Sequence, residues 1–149
     1  MLITNLNLTN YRSYANLELN LDPGINIFVG KNGEGKTNIA ESILYLTFLN
    51  SHRASGNTPL VKLGQASAYI RAKVKYPERE ILVELEINID KANRAKINQN
   101  PARSQKEIFG IVQTIYFSPE DLDIVRGDPT ERRRFIDQLL TLRSPRVAA

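Results

Sequence analysis

The chain has 149 residues, of which 42% are hydrophobic and 24% are charged, as in an ordinary globular domain rather than a disordered segment. It contains no cysteine and one histidine, which excludes disulfide frameworks, thiolate zinc sites and a cysteine nucleophile, and fits a reducing, cytoplasmic compartment. The net charge of +4 permits polyanion binding without requiring it, and the pattern predicts neither a signal peptide nor a membrane span.

The first part of the chain predicts strands followed by a helix. Residues 2–8 and 15–21 alternate between apolar and polar side chains, which indicates two half-buried strands. After a turn at residues 22–24 (Asp-Pro-Gly), residues 25–29 form a short apolar run that is typical of a buried strand. Beyond a glycine-rich loop, residues 38–49 predict an amphipathic helix, since apolar side chains recur at helical spacing at Ile39, Ile43, Leu46 and Leu49.

The middle of the chain predicts an antiparallel hairpin. Residues 68–76 alternate with basic side chains on one face, and residues 81–90 alternate with mostly acidic ones. Pairing of these two strands would place opposite charges across the ladder. A turn at Asn98–Pro101 follows, and Ser104 with Glu107 has the spacing of a capped short helix.

The last third predicts one strand and two helices. Residues 111–117 are the strand candidate, and Ser118 with Pro119 is a typical helix start. Gly127 is expected to end that helix, and residues 128–131 to start another that runs through Leu142. Because the chain stops within or just after helical sequence, we expect residues 1–149 to be one truncated N-terminal lobe.

A phosphate-binding loop lies between the apolar run and the first helix, where the strand–loop–helix context requires it. Its glycines let backbone N–H groups converge on phosphates, and the helix start adds a positive dipole. Lys36 is predicted to reach the β- and γ-phosphates of ATP, and the Thr37 hydroxyl to bind Mg²⁺. The predicted ATP site comprises Gly30, Lys31, Asn32, Gly33, Glu34, Gly35, Lys36 and Thr37.

A complete ATPase of this class also needs a second metal-side carboxylate at the end of an apolar strand. Asp90 ends a half-exposed hairpin strand, which is the wrong environment. Glu120 and Asp121 fit the first turn of a helix, where anions are favourable in their own right. We therefore assign no catalytic residue and expect the carboxylates beyond residue 149.

Five basic residues fall within sixteen positions that contain no acidic residue: Lys91, Arg94, Lys96, Arg103 and Lys106. Such a cluster can be a solvated hairpin or a surface that contacts DNA phosphates, and the sequence leaves both interpretations open. We name these five residues the basic cluster and take it as the candidate DNA-binding surface.

Several motifs resemble known families. Three of them resemble the ABC-type ATPase heads of the SMC/Rad50 group, at residues 10–13 (Asn-Tyr-Arg-Ser), 29–38 (around Gly-x-Asn-Gly-x-Gly-Lys-Thr) and 41–43 (Glu-Ser-Ile). Four more resemble the RecF family of bacterial recombination mediators, at residues 51–53, 117–122, 125–129 and 132–137. These matches run in order over nearly the whole chain.

The resemblance implies an α/β P-loop fold with a mixed sheet around the P-loop helix and an antiparallel hairpin layer beside it. It implies a head that binds ATP between two subunits of an ATP-dependent homodimer, with Arg12 reaching nucleotide phosphate. It also implies binding to single-stranded and duplex DNA, and loading of recombinase at gaps with RecO and RecR, in DNA repair, replication and the SOS response.

The family's signature motif, acidic pair and switch histidine do not occur in these 149 residues. We therefore expect ATP binding with negligible turnover by this chain alone.

Two other function classes remain open. A small P-loop kinase could use Arg132, Arg133 and Arg134 as lid arginines, and an interaction module could carry the loop as a remnant. The antiparallel signals in residues 66–98 argue against a kinase, because small kinases are largely parallel α/β proteins. Phosphoryl transfer to an acceptor by this chain alone would favour the kinase.

Overall fold

The computed structural model describes residues 1–117 and, further along, Thr130, Arg132, Arg133, Phe135, Ile136 and Leu140. The chain divides into two units, Met1–Val112 and Gln113–Ala149. The helix boundaries predicted at Ser118 and Gly127 lie outside the described residues. The six described residues between positions 130 and 140 are helical, as the sequence predicts for that segment.

One antiparallel sheet of six strands dominates the first unit, in the spatial order β2-β1-β3-β4-β5-β6. Its long strands alternate between apolar and polar residues, so that one face is buried and the other solvated. The strands predicted in the first hundred residues are confirmed, except for residues 25–29. In chain order the six strands are β1 (Leu2–Tyr11), β2 (Tyr14–Asn20), β3 (Ser67–Lys75), β4 (Glu80–Asn88), β5 (Arg94–Ile97) and β6 (Asn100–Pro101). The sequence does not predict β5 or β6, and β6 lies within the predicted turn Asn98–Pro101.

The predicted helix is present as α1 (Lys36–Phe48), and it starts directly after the glycine-rich loop. It ends at Leu49, which adopts a left-handed conformation and donates its N–H to the Tyr45 carbonyl. Two short 3-10 helices, Thr58–Leu60 and Gln105–Ile108, complete the unit. Ser104 caps the second of them by accepting a hydrogen bond from the Lys106 N–H, as predicted.

A single core joins α1 to the inner face of the sheet. The fully buried strand residues lie on β1, β3 and β4, and they include Leu6, Ile70 and Leu85. Ile39 and Leu46 of α1 belong to the same core. This packing fixes the position of α1, and therefore of the loop that precedes it, against the sheet.

The outer face of the sheet carries the charge pairs predicted for the hairpin. Arg71 Nε lies 3.2 Å from Glu84 Oε1, and Lys75 stands opposite Glu80 in the register. Opposite charges at facing positions stabilise an antiparallel pair modestly. The predicted hairpin and its opposed charges are therefore confirmed.

The apolar run at residues 25–29 is not the buried strand that the sequence predicts. Ile25, Ile27 and Val29 are exposed by 89%, 78% and 86%, and no strand among residues 1–117 pairs with the run. An apolar run of this kind becomes a buried strand only where neighbouring strands form hydrogen bonds with its backbone and other elements cover both of its faces. Consequently, the described strands form an antiparallel sheet and not the mixed sheet expected, while the α/β class is retained.

The strand predicted at residues 111–117 is also absent from the described structure. Val112 makes only an isolated bridge with Phe109, and Ile115 is fully exposed. The segment is not one of the strands of the described sheet. Within the described part of the chain, no helix is long and apolar enough to cross a bilayer.

Candidate nucleotide-binding site

The glycine-rich loop presents backbone donors at the start of α1. Gly35 is the residue that precedes the helix, with a φ of 95°, and Gly33 has a φ of 87°, conformations that glycine adopts without strain. The N–H groups of Gly33, Gly35 and Lys36 have no acceptor among the described residues. Together with the positive end of the helix dipole, these donors form a setting that favours an anion.

Lys36 folds back across the loop. Its Nζ donates hydrogen bonds to the carbonyl oxygens of Gly30, at 2.8 Å, and Lys31, at 2.7 Å. Thr37 is exposed beside it in the first turn of α1. An ammonium group and a hydroxyl group therefore stand next to the backbone donors, as the loop motif predicts.

Glu34 also turns toward the loop backbone. Its Oε2 accepts a hydrogen bond from the Lys31 N–H at 2.8 Å. The same oxygen lies only 2.5 Å from the position that a Cβ on Gly30 would occupy. The absence of a side chain at Gly30 is therefore what allows the carboxylate to lie here, a role that the motif alone does not indicate.

The turn between β1 and β2 packs directly against the loop. A Cβ on Gly35 would lie 2.6 Å from Ser13 Oγ and 3.0 Å from Tyr14 Oη. Ser13 Oγ accepts a hydrogen bond from Asn38 Nδ2 at 3.2 Å, and Tyr14 Oη donates to the Glu34 carbonyl at 3.3 Å. Partial burial, followed by the charge of Glu34, raises the pKa of Tyr14, so its hydroxyl stays protonated as a donor.

Arg12, in the same turn, pairs with the helix. Its Nε donates to Glu41 Oε2 at 2.9 Å, its Nη2 to Glu41 Oε1 at 2.6 Å, and its Nη1 to the Pro59 carbonyl at 2.9 Å. Such a bidentate pair is among the stronger polar contacts in proteins. The predicted contact of Arg12 with nucleotide phosphate stays a prediction, because the described contacts place the guanidinium on Glu41.

Glu41 is the buried partner of this pair, with only 1% of its side chain exposed. Burial raises its pKa, but the hydrogen bonds from Arg12 and Ser51 outweigh burial, and the net pKa lies below the usual range for glutamate. The sequence alone does not predict this contact. One feature of the sequence does indicate it: Glu41 lies between Ile39 and Tyr45 on the helix, among residues that are buried.

The five residues of the basic cluster are all exposed, but the register brings acidic residues beside them. Arg94 stands opposite Glu86 and Lys96 opposite Glu84. The sixteen-residue segment contains no acidic residue, but acidic residues of β4 lie beside it in the fold. The electrostatic field of the basic cluster is therefore weaker than the sequence alone suggests. DNA binding by the basic cluster remains a prediction.

Arg94 and Lys96 of the basic cluster line a groove of about 590 Å³ on the outer face of the sheet. Arg71 lies in this groove, and its Nη1 donates to Asn7 Oδ1 and Thr9 Oγ1, both at 3.2 Å. The Arg71 guanidinium also lies 5.0 Å from the centre of the Tyr69 ring. The polar groups of this face are largely occupied by one another, which contrasts with the open donors of the loop.

Comparison with known proteins agrees with this geometry. Residues 5–145 match the family model described as an AAA domain. The DNA replication and repair protein RecF of Streptomyces avermitilis is 53% identical over 148 residues, which cover 99% of this chain and 40% of that protein. The chain thus spans about two fifths of the length of the curated relatives it matches.

Solved structures give the same result. A structure of the recombination mediator protein RecF-ATPrS in the RecFOR pathway matches with a TM-score of 0.87 and 30% identity, over 95% of this chain and 38% of that one. A chain from work on ATP-driven dimerization and DNA-stimulated activation of SMC ATPases matches with a TM-score of 0.72 over 92% of this chain and 98% of that one. Its 23% identity shows the fold alone.

These matches confirm the α/β P-loop ATPase fold and the resemblance to RecF. Because the family model covers most of the chain, the chain belongs to the AAA domain family.

Proposed function

We propose that this member of the AAA domain family is the nucleotide-binding lobe of a RecF-like DNA-repair ATPase, and that residues 30–37 bind the phosphates of ATP. The observation that carries the proposal is the set of open backbone donors beside Lys36 at the start of α1. The similarity to RecF proteins supports it, since one similar solved structure is described as RecF-ATP.

In this proposal each group of the loop has a separate task. The N–H groups of Gly33, Gly35 and Lys36 donate to phosphate oxygens, and the Lys36 ammonium exchanges its two carbonyl partners for phosphate. Contacts with phosphate have an ionised acceptor and are therefore stronger than hydrogen bonds between neutral groups. Arg12 is the proposed additional phosphate contact, although its guanidinium already pairs with Glu41.

Mg²⁺ fits this site through Thr37. The Thr37 hydroxyl is an exposed oxygen ligand next to the donor set. No group of three acidic or histidine side chains suited to a metal ion exists in the described part of the chain. The ion would therefore be held mainly by Thr37 and by the nucleotide itself, and it would neutralise charge between the phosphates.

Calorimetric titration with ATP and Mg²⁺ tests the site. We expect Lys36→Ala to weaken ATP binding by about tenfold or more, because a charge-assisted contact contributes roughly 1.5–3 kcal/mol. Lys73→Ala, at an exposed position on β3, is the matched control and should leave binding unchanged. Equal affinity in the wild type and in Lys36→Ala, with both folded by circular dichroism, would refute the site.

We further propose that turnover needs a second head. Phosphoryl transfer requires charge neutralisation from both sides of the nucleotide, and the loop supplies one side. The proposed assembly is an ATP-dependent homodimer that acts with RecO and RecR to load recombinase at gaps. The chain alone should then bind ATP with negligible hydrolysis, and a robust rate that Lys36→Ala abolishes would contradict this.

Contact with single-stranded and duplex DNA is the remaining part of the proposal. The candidate surface is the basic cluster, although Glu84 and Glu86 lie opposite two of its members. We expect weak, sequence-independent binding, because these acidic residues lower the positive electrostatic field that attracts DNA phosphates.

Fluorescence anisotropy at several salt concentrations measures that contact, because affinity should fall with a log–log slope of about −0.7 per contact for single strands and about −0.9 for duplex. Changing Arg94, Lys96 and Arg103 to Glu should reduce both the affinity and the slope. Unchanged binding at every salt concentration would place the DNA surface elsewhere.

A further inference from the structure

The charged side chains of Glu34 and Lys36 converge on one peptide unit of the loop. In the peptide that joins Gly30 to Lys31, the carbonyl accepts from the Lys36 ammonium and the N–H donates to the Glu34 carboxylate. The carboxylate oxygen is held where Gly30 has no side chain, and Lys36 Cδ lies 3.9 Å from the same point above Gly30. A negative group of this chain therefore lies inside the loop that presents its donors to an anion.

A carboxylate in this position has the chemistry of a phosphate oxygen. It is an acceptor only, it is negatively charged, and it takes a backbone N–H of the loop at 2.8 Å. No ion pair joins Glu34 to any basic group in residues 1–117, so its main described partner is the loop backbone. Its carboxylate thus makes no contact ion pair within residues 1–117 at the place where phosphates would bring more negative charge.

We propose that Glu34 is an anionic latch, a side chain that occupies the phosphate loop and that the phosphates of a nucleotide must displace. This inference rests on the proposed function and adds to it a residue that sets nucleotide affinity. Like charges repel, so the latch opposes binding until it swings out. Because Glu34 is exposed, rotation into solvent costs no core packing.

Titration of the 149-residue chain with ATP and, separately, with inorganic triphosphate tests the latch. Glu34→Gln removes the charge and keeps the shape, and Glu78→Gln, in the turn between β3 and β4, makes the same change in net charge outside the loop. We expect Glu34→Gln to bind both ligands about three- to tenfold more tightly than Glu78→Gln does, with a gain that shrinks as salt increases. Equal affinity of the two variants would overturn the proposal.

Hydrogen exchange at the Lys31 amide gives a second readout. The wild-type chain should lose protection at this amide when triphosphate saturates the site, because the carboxylate leaves its donor. Glu34→Ala should show the lower protection without any ligand. Protection that persists at saturation in the wild type, while Glu34→Ala stays unprotected at saturation, would overturn the proposal, since the carboxylate would then remain in place beside the phosphates.

Lys36→Ala separates this inference from the proposed function. If Lys36→Ala binds triphosphate as well as the wild type does, the loop is not the phosphate site and the proposed function fails. If Lys36→Ala loses binding while Glu34→Gln gains nothing over Glu78→Gln, the site stands and the latch alone is wrong.

Discussion

Strand β4 and the run at residues 25–29 have similar apolar side chains and opposite surroundings. In β4, the apolar residues Ile81, Val83, Leu85 and Ile87 are all buried, whereas Ile25, Ile27 and Val29 lie in solvent. The two segments differ in partners, because β4 is hydrogen-bonded to β3 on one side and β5 on the other. Apolar composition selects a candidate strand, and pairing decides whether it becomes one.

The same contrast distinguishes the two ends of the phosphate loop. At the helical end, α1 shares the core of the sheet, Arg12 pairs with the buried Glu41, and Ser13 and Tyr14 contact Gly35. At the other end, the loop follows residues 25–29, which have no strand partner among residues 1–117. The described contacts therefore fix the loop from one side.

Arg12→Ala should have the largest effect, because it removes a contact on the fixed side. We expect a loss of about 3–5 kcal/mol in the free energy of unfolding, since Glu41 would be left as an uncompensated buried charge. Glu84→Ala is the control, because it removes the partly exposed Arg71–Glu84 pair, which should contribute only about 0.2–1 kcal/mol. Urea denaturation measures both, and equal losses would show that the Arg12 pair does not anchor the helix.

The same pair predicts a dependence on acid. Because the folded-state pKa of Glu41 is lowered, the pair contributes stability above the unfolded value of about 4.3 and loses it as the pH falls through the folded pKa. Glu41→Gln should therefore flatten the fall in stability below that pH. If the variant loses as much stability at low pH as the wild type does, other carboxyl groups cause that loss.

A matched pair of aliphatic truncations tests the comparison of the two apolar segments. Leu85→Ala should cost about 2–5 kcal/mol, because it opens a cavity in a fully buried site. Ile27→Ala should change stability by less than about 0.5 kcal/mol, since the exposed side chain loses no burial. Thermal unfolding followed by circular dichroism measures both changes. A loss at Ile27 comparable to that at Leu85 would mean that the run is covered in solution.

Local patterns were sufficient to predict most of the fold. The period-two alternation of β3 and β4 predicted both strands and their opposed charges, and helical spacing predicted α1 to within two residues at its start. The loop motif also predicted where open donors would lie. These features depend on neighbours in the sequence, which is why the residues alone indicated them.

Contacts between distant segments were not predictable in the same way. The Arg12–Glu41 pair joins residues 29 positions apart, and the acids beside the basic cluster come from another strand. The position of Glu34 over Gly30 depends on the bend of the loop, which the motif does not specify. The exposure of residues 25–29 depends on partner strands and not on their own composition.

The fit between Gly35 and the turn at Ser13 and Tyr14 also bears on how sequence variation should be interpreted. Any side chain at position 35 would collide with that turn, whether or not a nucleotide is bound. Positions 13 and 35 are therefore under one shared steric constraint and are not free to drift independently. If related sequences keep this glycine, the packing of the turn explains that as well as phosphate binding does. Lys36 is a better indicator of nucleotide binding, because its contacts do not include this turn.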